Sequence, residues 1–173
     1  MNNPLKHTFI IGMMGSGKTK IAHLLSEKLD IPYIDTDQDL VSILNLNMEE
    51  VFDCFSEKKF HVLESVYFIE HLKNNQHIYA TGGGIILNKE NRDAMRQWGR
   101  AILLTASAST LFERLSNDKT NIRPLFNKNK NKKFLEDMWN DRKKYYRECA
   151  DFMVETDKKS GDEIANEISR LLQ

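Results

Sequence analysis

The sequence predicts a single α/β domain in which a parallel β-sheet is covered by helices on both faces. Three observations carry this prediction. Short apolar runs alternate along the chain with segments of helical periodicity, which is the pattern of successive βα units. A glycine-rich loop joins the first apolar run to the first helical segment. The chain has 173 residues, enough for one domain (residues 1–173) with a substantial hydrophobic core, and it contains no internal repeat.

Five apolar runs have the length and the β-branched or aromatic content of buried strands. They are residues 8–11, 31–34, 77–81, 101–104 and 152–154. Because a helical segment separates each run from the next, all five are expected to lie parallel in one sheet.

Helical periodicity predicts the elements between these strands. The first helix opens near Lys18, and further helices are predicted over residues 38–44, 48–55, 57–73, 90–98, 107–115 and 134–149. A last helix begins at Ser160, which forms a capping box with Glu163. In the long helix over 57–73, the stripe expected to be buried consists of Phe60, Leu63, Val66, Tyr67 and Ile69.

Composition and charge argue against several classes of protein. Lys plus Arg and Asp plus Glu both number 25, whereas nucleic-acid binders usually carry a basic excess. No apolar run approaches the length of a membrane span, and the run 9–14 is too short for a secretory signal. The two cysteines, Cys54 and Cys149, are typical of thiols in a reducing compartment. We therefore expect a cytoplasmic monomer without a nucleic-acid or membrane partner.

Residues 12–19 read Gly-Met-Met-Gly-Ser-Gly-Lys-Thr, the G-x-x-x-x-G-K-[ST] pattern of a phosphate-binding loop. The loop lies between a predicted strand and a predicted helix, which is the context that the pattern requires. Glycine lets the backbone approach a polyphosphate closely, and the helix N-terminus adds a positive partial charge. Lys18 is expected to contact the β- and γ-phosphates, and the Thr19 hydroxyl to bind Mg²⁺. The pattern therefore predicts a site for a nucleoside triphosphate with Mg²⁺.

Two further motifs follow predicted strands, at the edge of a parallel sheet where ligands bind. Asp35 and Asp37 follow the second strand, where one carboxylate can hold Mg²⁺ through water and the other can bind a hydroxyl that is being phosphorylated. Helix capping is the alternative interpretation of this pair. The triplet Gly82-Gly83-Gly84 follows the third strand and permits a ligand to lie against the backbone, with a plain tight turn as the alternative.

The segment from about residue 117 to 133 is dominated by Asn and Lys. Its composition predicts that it buries little and forms a mobile excursion of the chain. A segment of this kind can close over a site and exclude water.

Taken together, these elements resemble the shikimate kinases, a family of small P-loop kinases. The resemblance covers nearly the whole chain, and the order and spacing of its motifs are more specific than any single motif. The motifs are residues 12–19, Asp35-Thr36-Asp37, Val51-Phe52, Phe60-x-x-x-Glu64, Thr81-Gly82-Gly83-Gly84, Arg123-Pro124-Leu125, Arg142-x-x-x-Tyr146 and Ala150-Asp151. The resemblance implies a three-layer P-loop kinase fold with a five-stranded parallel sheet, substrate-binding helices at about 38–73 and a mobile lid at about 117–133.

The resemblance also implies the residues of the nucleotide site. Asp35 resembles the residue that holds Mg²⁺ together with Thr19. Arg123 lies where the family has a lid arginine over the transferring phosphate, and Arg114 resembles the arginine that packs on the adenine. The implied ATP-binding residues are Gly12, Gly15, Ser16, Gly17, Lys18, Thr19, Arg114 and Arg123.

On the acceptor side, Asp37 resembles the residue that holds and activates the attacking hydroxyl. Arg142 resembles one of the arginines that grip the substrate carboxylate. The implied substrate-binding residues are Asp37, Phe52, Phe60, His61, Gly82, Gly83, Gly84 and Arg142. The implied catalytic residues are Lys18, Asp37 and Arg123, which together supply positioning and charge neutralisation.

One position departs from the family pattern. The family has Phe-Arg-x-x-Glu on the long helix, where this chain has His61 between Phe60 and Val62. Arginine offers a permanently charged fork for a carboxylate, whereas histidine is charged only when protonated. Glu64, one turn further along, is expected to favour the protonated imidazole.

The departure leaves three interpretations. In the first, which we favour, the protein is an ATP- and Mg²⁺-dependent kinase that phosphorylates the 3-hydroxyl of shikimate, and Arg142 carries most of the carboxylate contact. In the second, it phosphorylates another small hydroxy acid, as a gluconate-type kinase does. In the third, it binds ATP but does not turn over shikimate.

Overall fold

The computed structural model describes residues 7–73, 75–118 and 124–173. Within these residues five parallel strands form one sheet, which confirms the predicted fold class. The strands are β1 (His7–Gly12), β2 (Tyr33–Asp35), β3 (Ile78–Ala80), β4 (Gly99–Thr105) and β5 (Phe152–Glu155), in the order β2-β3-β1-β4-β5. The chain builds one half of the sheet first and then crosses β1 to build the other. The loops after the neighbouring strands β1 and β3 therefore lie at the point where the order of strands in the sheet changes direction. A ligand crevice usually forms at such a point in a parallel sheet.

The helices cover both faces of this sheet, as expected. They are α1 (Lys18–Leu29), α2 (Thr36–Leu44), α3 (Met48–Cys54), α4 (Glu57–His71), α5 (Lys89–Trp98), α6 (Ala108–Asn117), α7 (Pro124–Lys128), α8 (Lys132–Cys149) and α9 (Gly161–Leu171). A 3₁₀ turn, Ile85–Leu87, precedes α5. The predicted capping box at the start of α9 is present, with Ser160 and Glu163 each bonding the backbone N–H of the other.

Alternation along β1 divides the interior into two cores. Ile10 faces α1 and α9, whereas Phe9 and Ile11 face the opposite side, because successive side chains of a strand point to opposite faces. A third, smaller cluster joins α2, α3 and α4 through Leu40, Val51, Phe60 and Tyr67. This cluster fixes the helices that lie beside the carboxyl ends of the strands.

The buried face of α4 differs from the predicted stripe. Val66 is 59% exposed, so its predicted burial is wrong. The helix instead buries Glu64 and Phe68, which stand one turn apart. The apolar residues alone did not reveal the true face, because a buried carboxylate occupies one of its positions.

The segment predicted to form a mobile excursion is only partly described. Residues 119–123, and with them Arg123, lie outside the described residues. Phe126 of α7 is 1% exposed, and its ring meets that of Phe112 edge-on at 5.8 Å. The prediction that this segment buries little is therefore wrong for Phe126, although residues 127–133 are exposed.

Two other expectations concern thiols and membranes. Cys54 and Cys149 are both free, as expected, and burial raises the pKa of Cys149 to about 11. No helix within the described ranges is both long and apolar enough to cross a membrane.

His7 at the start of β1 gives the fold a predictable response to acid. The ring is buried, its Nδ1 accepts from the N–H of His77 (3.1 Å), and its Nε2–H therefore donates to the carbonyl of Leu72 (3.0 Å). Burial lowers the pKa of His7 below 6.5, and the nearby His77 lowers it further against the raising effect of the Leu72 bond. The unfolded chain thus binds the proton more readily than the folded one. The contribution of neutral His7 to the free energy of unfolding is therefore complete above pH 6.5 and is lost as the pH falls below it.

We expect His7→Gln to reduce the loss of unfolding free energy between pH 7.5 and pH 5. Glutamine can accept and donate at similar positions but does not titrate. Urea denaturation at both pH values measures the difference, with the exposed His23→Gln as the control. An equal acid sensitivity in His7→Gln and the parent would show that His7 is not its source.

Candidate nucleotide and acceptor site

A cavity of about 580 Å³ opens at the carboxyl ends of the strands. The phosphate loop, the first turn of α2 and the residues after β3 line it, and Arg114 of α6 closes one side. The residues that line this cavity include Lys18, Thr19, Asp35 and Asp37. Each of these was predicted from a local motif. The topology therefore brings these four predicted residues to one cavity.

The phosphate loop is formed and leaves the N-terminus of α1 without a side-chain cap. Gly17, the N-cap residue, has a φ of 97°, a conformation that glycine adopts readily. The ammonium of Lys18 donates to the carbonyls of Gly12 (2.9 Å) and Met13 (3.0 Å). Backbone N–H groups at an uncapped helix N-terminus bind anions well, so the loop suits a polyphosphate.

Thr19 and Asp35 meet beside this loop. The Thr19 hydroxyl donates to Oδ2 of Asp35 at 2.5 Å. Oδ1 of Asp35 accepts from the backbone N–H groups of Asp37 (3.2 Å) and Gln38 (3.1 Å), so Asp35 is also the N-cap of α2. Because of this cap, α2 begins at Thr36 rather than at the predicted residue 38. Both interpretations of Asp35, as a cap and as a partner of Thr19, thus agree with its contacts.

These oxygen ligands suit Mg²⁺. In phosphoryl-transfer sites Mg²⁺ usually keeps several waters and takes one or two protein oxygens together with substrate phosphates. The described part of the chain contains no group of three or more His, Cys, Asp or Glu side chains placed to hold a metal. Thr19 and Asp35 are the residues here that would hold Mg²⁺, and the ion would neutralise charge on the phosphates.

Asp37 meets the glycine triplet at Gly82. A Cβ on Gly82 would lie 1.9 Å from Oε1 of Glu64 and 2.6 Å from Oδ1 of Asp37, so both carboxylates converge on this glycine. The N–H of Gly82 donates to the hydroxyl of Thr36 (3.0 Å), which fixes the triplet to the first turn of α2. Sequence reasoning assigned no role to Thr36, although its place between the two aspartates could have suggested one.

The motif Arg142-x-x-x-Tyr146 contacts the next glycine. The hydroxyl of Tyr146 donates to the carbonyl of Gly83 at 2.7 Å, and Nη1 of Arg142 lies 3.4 Å from the same oxygen. Burial raises the pKa of Tyr146, although Arg142 opposes the shift, so the phenol remains a donor. The four-residue spacing places both side chains on one face of α8, and this face brings Arg142 to the triplet.

His61 lies against the last glycine of the triplet. A Cβ on Gly84 would be 2.1 Å from Cε1 of the imidazole. Nδ1 of His61 is 3.0 Å from Oε2 of Glu64, whose side chain is 1% exposed. His61 does not line the cavity that contains Asp37 but a second, more open cavity of about 680 Å³ that also contains Lys58. His61 therefore stands in the wall behind the glycine triplet, within hydrogen-bond distance of the Glu64 carboxylate.

Arg114 anchors the loop after β5 beside the phosphate loop. Its guanidinium donates to the hydroxyl (3.0 Å) and the carbonyl (2.8 Å) of Thr156 and lies 3.4 Å from the carbonyl of Gly15. Burial alone would raise the pKa of the neighbouring Asp157, but hydrogen bonds from Thr110 and Ser107 and the charge of Arg114 lower it overall. Thr156 was not predicted, because no sequence motif marks its position.

Several predicted site residues besides His61 are not among those that line the cavity: Gly12, Ser16, Phe60, Gly82, Gly84 and Arg142. Phe60 is 4% exposed and packs in the cluster with Leu40, Val51 and Tyr67. The side chain of Phe52 and all of Arg123 lie outside the described residues. The apolar edge and the lid arginine implied by the resemblance therefore stay predictions.

Comparisons with known proteins agree with this geometry. The family model described as shikimate kinase matches residues 14–173. A shikimate kinase of Enterococcus faecalis is 33% identical over 164 residues, covering 95% of this chain and 96% of that protein. A shikimate kinase of Lactococcus lactis is 36% identical over 159 residues, covering 92% and 93%. These relatives match the chain over almost its full length.

Solved structures give the same result. The shikimate kinase of Acinetobacter baumannii in complex with shikimate superposes with a TM-score of 0.90 at 28% identity, covering 96% of this chain and 92% of that one. A gluconokinase of Sinorhizobium meliloti reaches a TM-score of 0.58 at 14% identity, a likeness of fold alone. The phosphate loop, the paired aspartates and the glycine triplet thus stand in a chain that belongs to the shikimate kinase family, whose members are ATP-dependent phosphotransferases.

Proposed function

We propose that this protein transfers the γ-phosphate of ATP to the 3-hydroxyl of shikimate, giving shikimate 3-phosphate and ADP in the route to chorismate and the aromatic amino acids. The observation that carries the proposal is that Asp37 lines the same cavity as the phosphate loop and also approaches Gly82 of the glycine triplet. The A. baumannii shikimate kinase, solved in complex with shikimate, has closely the same fold. The shikimate kinase family model matches residues 14–173 of this chain, a range that includes Asp37 and Gly82.

The nucleotide half of the site supplies charge neutralisation. Lys18 and the N-terminus of α1 would face the phosphates, and Thr19 with Asp35 would hold Mg²⁺. Arg114 would pack against the adenine beside the loop after β5, and Arg123 would reach the transferring phosphate. Phosphoryl transfer requires little covalent work from the protein, so such positioned charges supply most of the catalysis.

The acceptor half supplies orientation and a proton acceptor. The shikimate hydroxyl would lie between Asp37 and the γ-phosphate, with its ring against Gly82 and Gly83. As the new O–P bond forms and the bond to the β-phosphate oxygen breaks, the hydroxyl proton passes to Asp37 and ADP leaves. Arg142, whose guanidinium already reaches Gly83, would bind the carboxylate of the substrate.

A coupled ADP-release assay with ATP and Mg²⁺ tests this proposal. Shikimate should give turnover well above that without an acceptor, and gluconate should give none. Turnover on gluconate but not on shikimate would identify a kinase of another hydroxy acid. ATP binding without turnover on either acceptor would identify a homologue that has lost the activity.

His61→Arg should lower the KM for shikimate about tenfold, because arginine would add a charge-assisted contact to the carboxylate.

Steady-state kinetics with shikimate measure this change in KM, with His23→Arg on the exposed face of α1 as the control. An unchanged shikimate KM in His61→Arg would exclude position 61 from carboxylate binding.

We further propose that the protein acts as a cytoplasmic monomer. Light scattering coupled to size-exclusion chromatography should give a mass near 20.2 kDa.

A further inference from the structure

The 3₁₀ turn Ile85–Leu87 directly continues the glycine triplet, and side chains of α5 bind all three of its carbonyls. Nδ2 of Asn91 donates to the carbonyl of Ile85 at 3.0 Å. Nη1 of Arg92 donates to the carbonyls of Ile86 (2.8 Å) and Leu87 (3.2 Å). Asn91 is 1% exposed and Arg92 is 6% exposed, so water competes little for these bonds.

Asn91 also connects the turn to α4. Its Nδ2 donates to the hydroxyl of Ser65 at 2.8 Å, and that hydroxyl donates to the carbonyl of His61 at 2.8 Å. The carbonyl oxygen of Ile85 can only accept a hydrogen bond, so the atom of the Asn91 amide that faces it must be the donor Nδ2. Both amide hydrogens of Asn91 are thus used, one on each element.

Arg92 makes the corresponding connection to α8. Its Nε lies 3.2 Å from Oε2 of Glu148, and its guanidinium stacks over the ring of Tyr145 at 4.7 Å. A hydrogen bond from Arg96 is the largest influence on Glu148, and together with the charge of Arg92 it lowers the pKa of this carboxyl, which stays ionised. Arg92 therefore binds the turn on one side and α8 on the other.

We propose that Ser65, Asn91 and Arg92, here named the turn clamp, are positioning residues for the acceptor. Side chains that meet the glycine triplet come from α2, which carries Thr36 and Asp37, from α4, which carries His61 and Glu64, and from α8, which carries Arg142 and Tyr146. The turn clamp connects the turn that continues the triplet to two of these helices, α4 and α8. None of its three members lines the cavity of the proposed reaction, so the turn clamp acts through the triplet and not on the substrate.

The turn clamp acts on one half of the site only. Its bonds end on the turn, on α4 and on α8, whereas the phosphate loop is held by β1 and α1. Loss of a turn-clamp bond should therefore affect the acceptor and leave the nucleotide unaffected. This specificity distinguishes positioning from a general contribution to stability.

Ser65→Ala and Asn91→Ala test the proposal, which rests on shikimate as the acceptor. Both variants should raise the KM for shikimate about fivefold or more and leave the KM for ATP within about twofold, since each removes buried hydrogen bonds among α4, α5 and the turn that continues the triplet. Ser65→Thr, which keeps the hydroxyl, should restore the parent value. Lys89→Ala is the matched control, because Lys89 lies on the same helix, is exposed and pairs only with Asp93 among the contacts described.

Amide hydrogen exchange provides a readout that needs no substrate. In Ser65→Ala, exchange at residues 82–87 should become at least about threefold faster, while residues 12–17 should remain unchanged. Equal changes in both KM values, or unchanged exchange at 82–87, would reduce the turn clamp to a purely structural role. Absence of shikimate turnover in the parent would refute the proposed function alone, and the exchange comparison would still decide the role of the turn clamp.

Discussion

Replacing Asp37 by asparagine is expected to lower kcat with shikimate by about a thousandfold, since a positioned general base contributes between about a hundredfold and ten-thousandfold. Asparagine has nearly the same shape but cannot take the proton of the attacking hydroxyl. The N–H of residue 37 would still donate to Asp35, so the cap of α2 is retained. Binding of ATP, measured by titration calorimetry, should be unchanged because the phosphate loop is not altered.

Asp39→Asn is the matched control for this experiment. Asp39 lies on the same helix, but its carboxylate accepts from the hydroxyl of Tyr67 at 2.6 Å and does not line the cavity. This variant should lose some thermal stability and retain most of its kcat. If Asp37→Asn kept a third or more of the parent kcat, Asp37 would be a binding residue and not the proton acceptor.

The second large effect is expected from Gly82→Ala. The added methyl would overlap Oε1 of Glu64 and lie 2.6 Å from Oδ1 of Asp37. Glu64 is buried and cannot swing into solvent, so Asp37 or the triplet must move. A displacement of about 1 Å in a reacting group can cost about a hundredfold, and we expect kcat/KM for shikimate to fall by at least that factor. Steady-state kinetics measure this loss.

Gly83→Ala separates this overlap from a general intolerance of side chains in the triplet. A Cβ on Gly83 would find its nearest atoms at 3.7 to 3.8 Å, which is ordinary contact. Its thermal midpoint should match that of the parent, whereas Gly82→Ala should lose about 1–3 kcal/mol of stability through overpacking. Similar thermal midpoints for the two variants would contradict the close approach of both carboxylates to Gly82.

Much of the site could be predicted because its signals are local. The glycine spacing of the phosphate loop, the aspartates after β2 and the triplet after β3 each follow a strand, and a parallel sheet brings the carboxyl ends of its strands to one edge. Alternation of strands and helices likewise predicted the fold class. Predicting these features requires only the periodicity of side chains along strands and helices and the chemistry of residues that are neighbours in the sequence.

Other features depend on contacts between residues that are distant in sequence. The apolar pattern predicted Val66 to be buried, but tertiary packing turns α4 so that Glu64 faces Gly82 and Val66 faces solvent. Composition predicted that the segment around Phe126 buries little, yet this single ring finds a partner in Phe112.

The sequence by itself thus determined the class of fold and the phosphate loop, and it predicted candidate acceptor residues. Only the tertiary structure decided that His61 stands behind Gly84 and that Asn91 joins the turn to α4. The physical reason is that a hydrogen bond or a steric contact depends on the relative placement of two elements. That placement results from packing of the whole core and is not encoded in the pattern of any one segment.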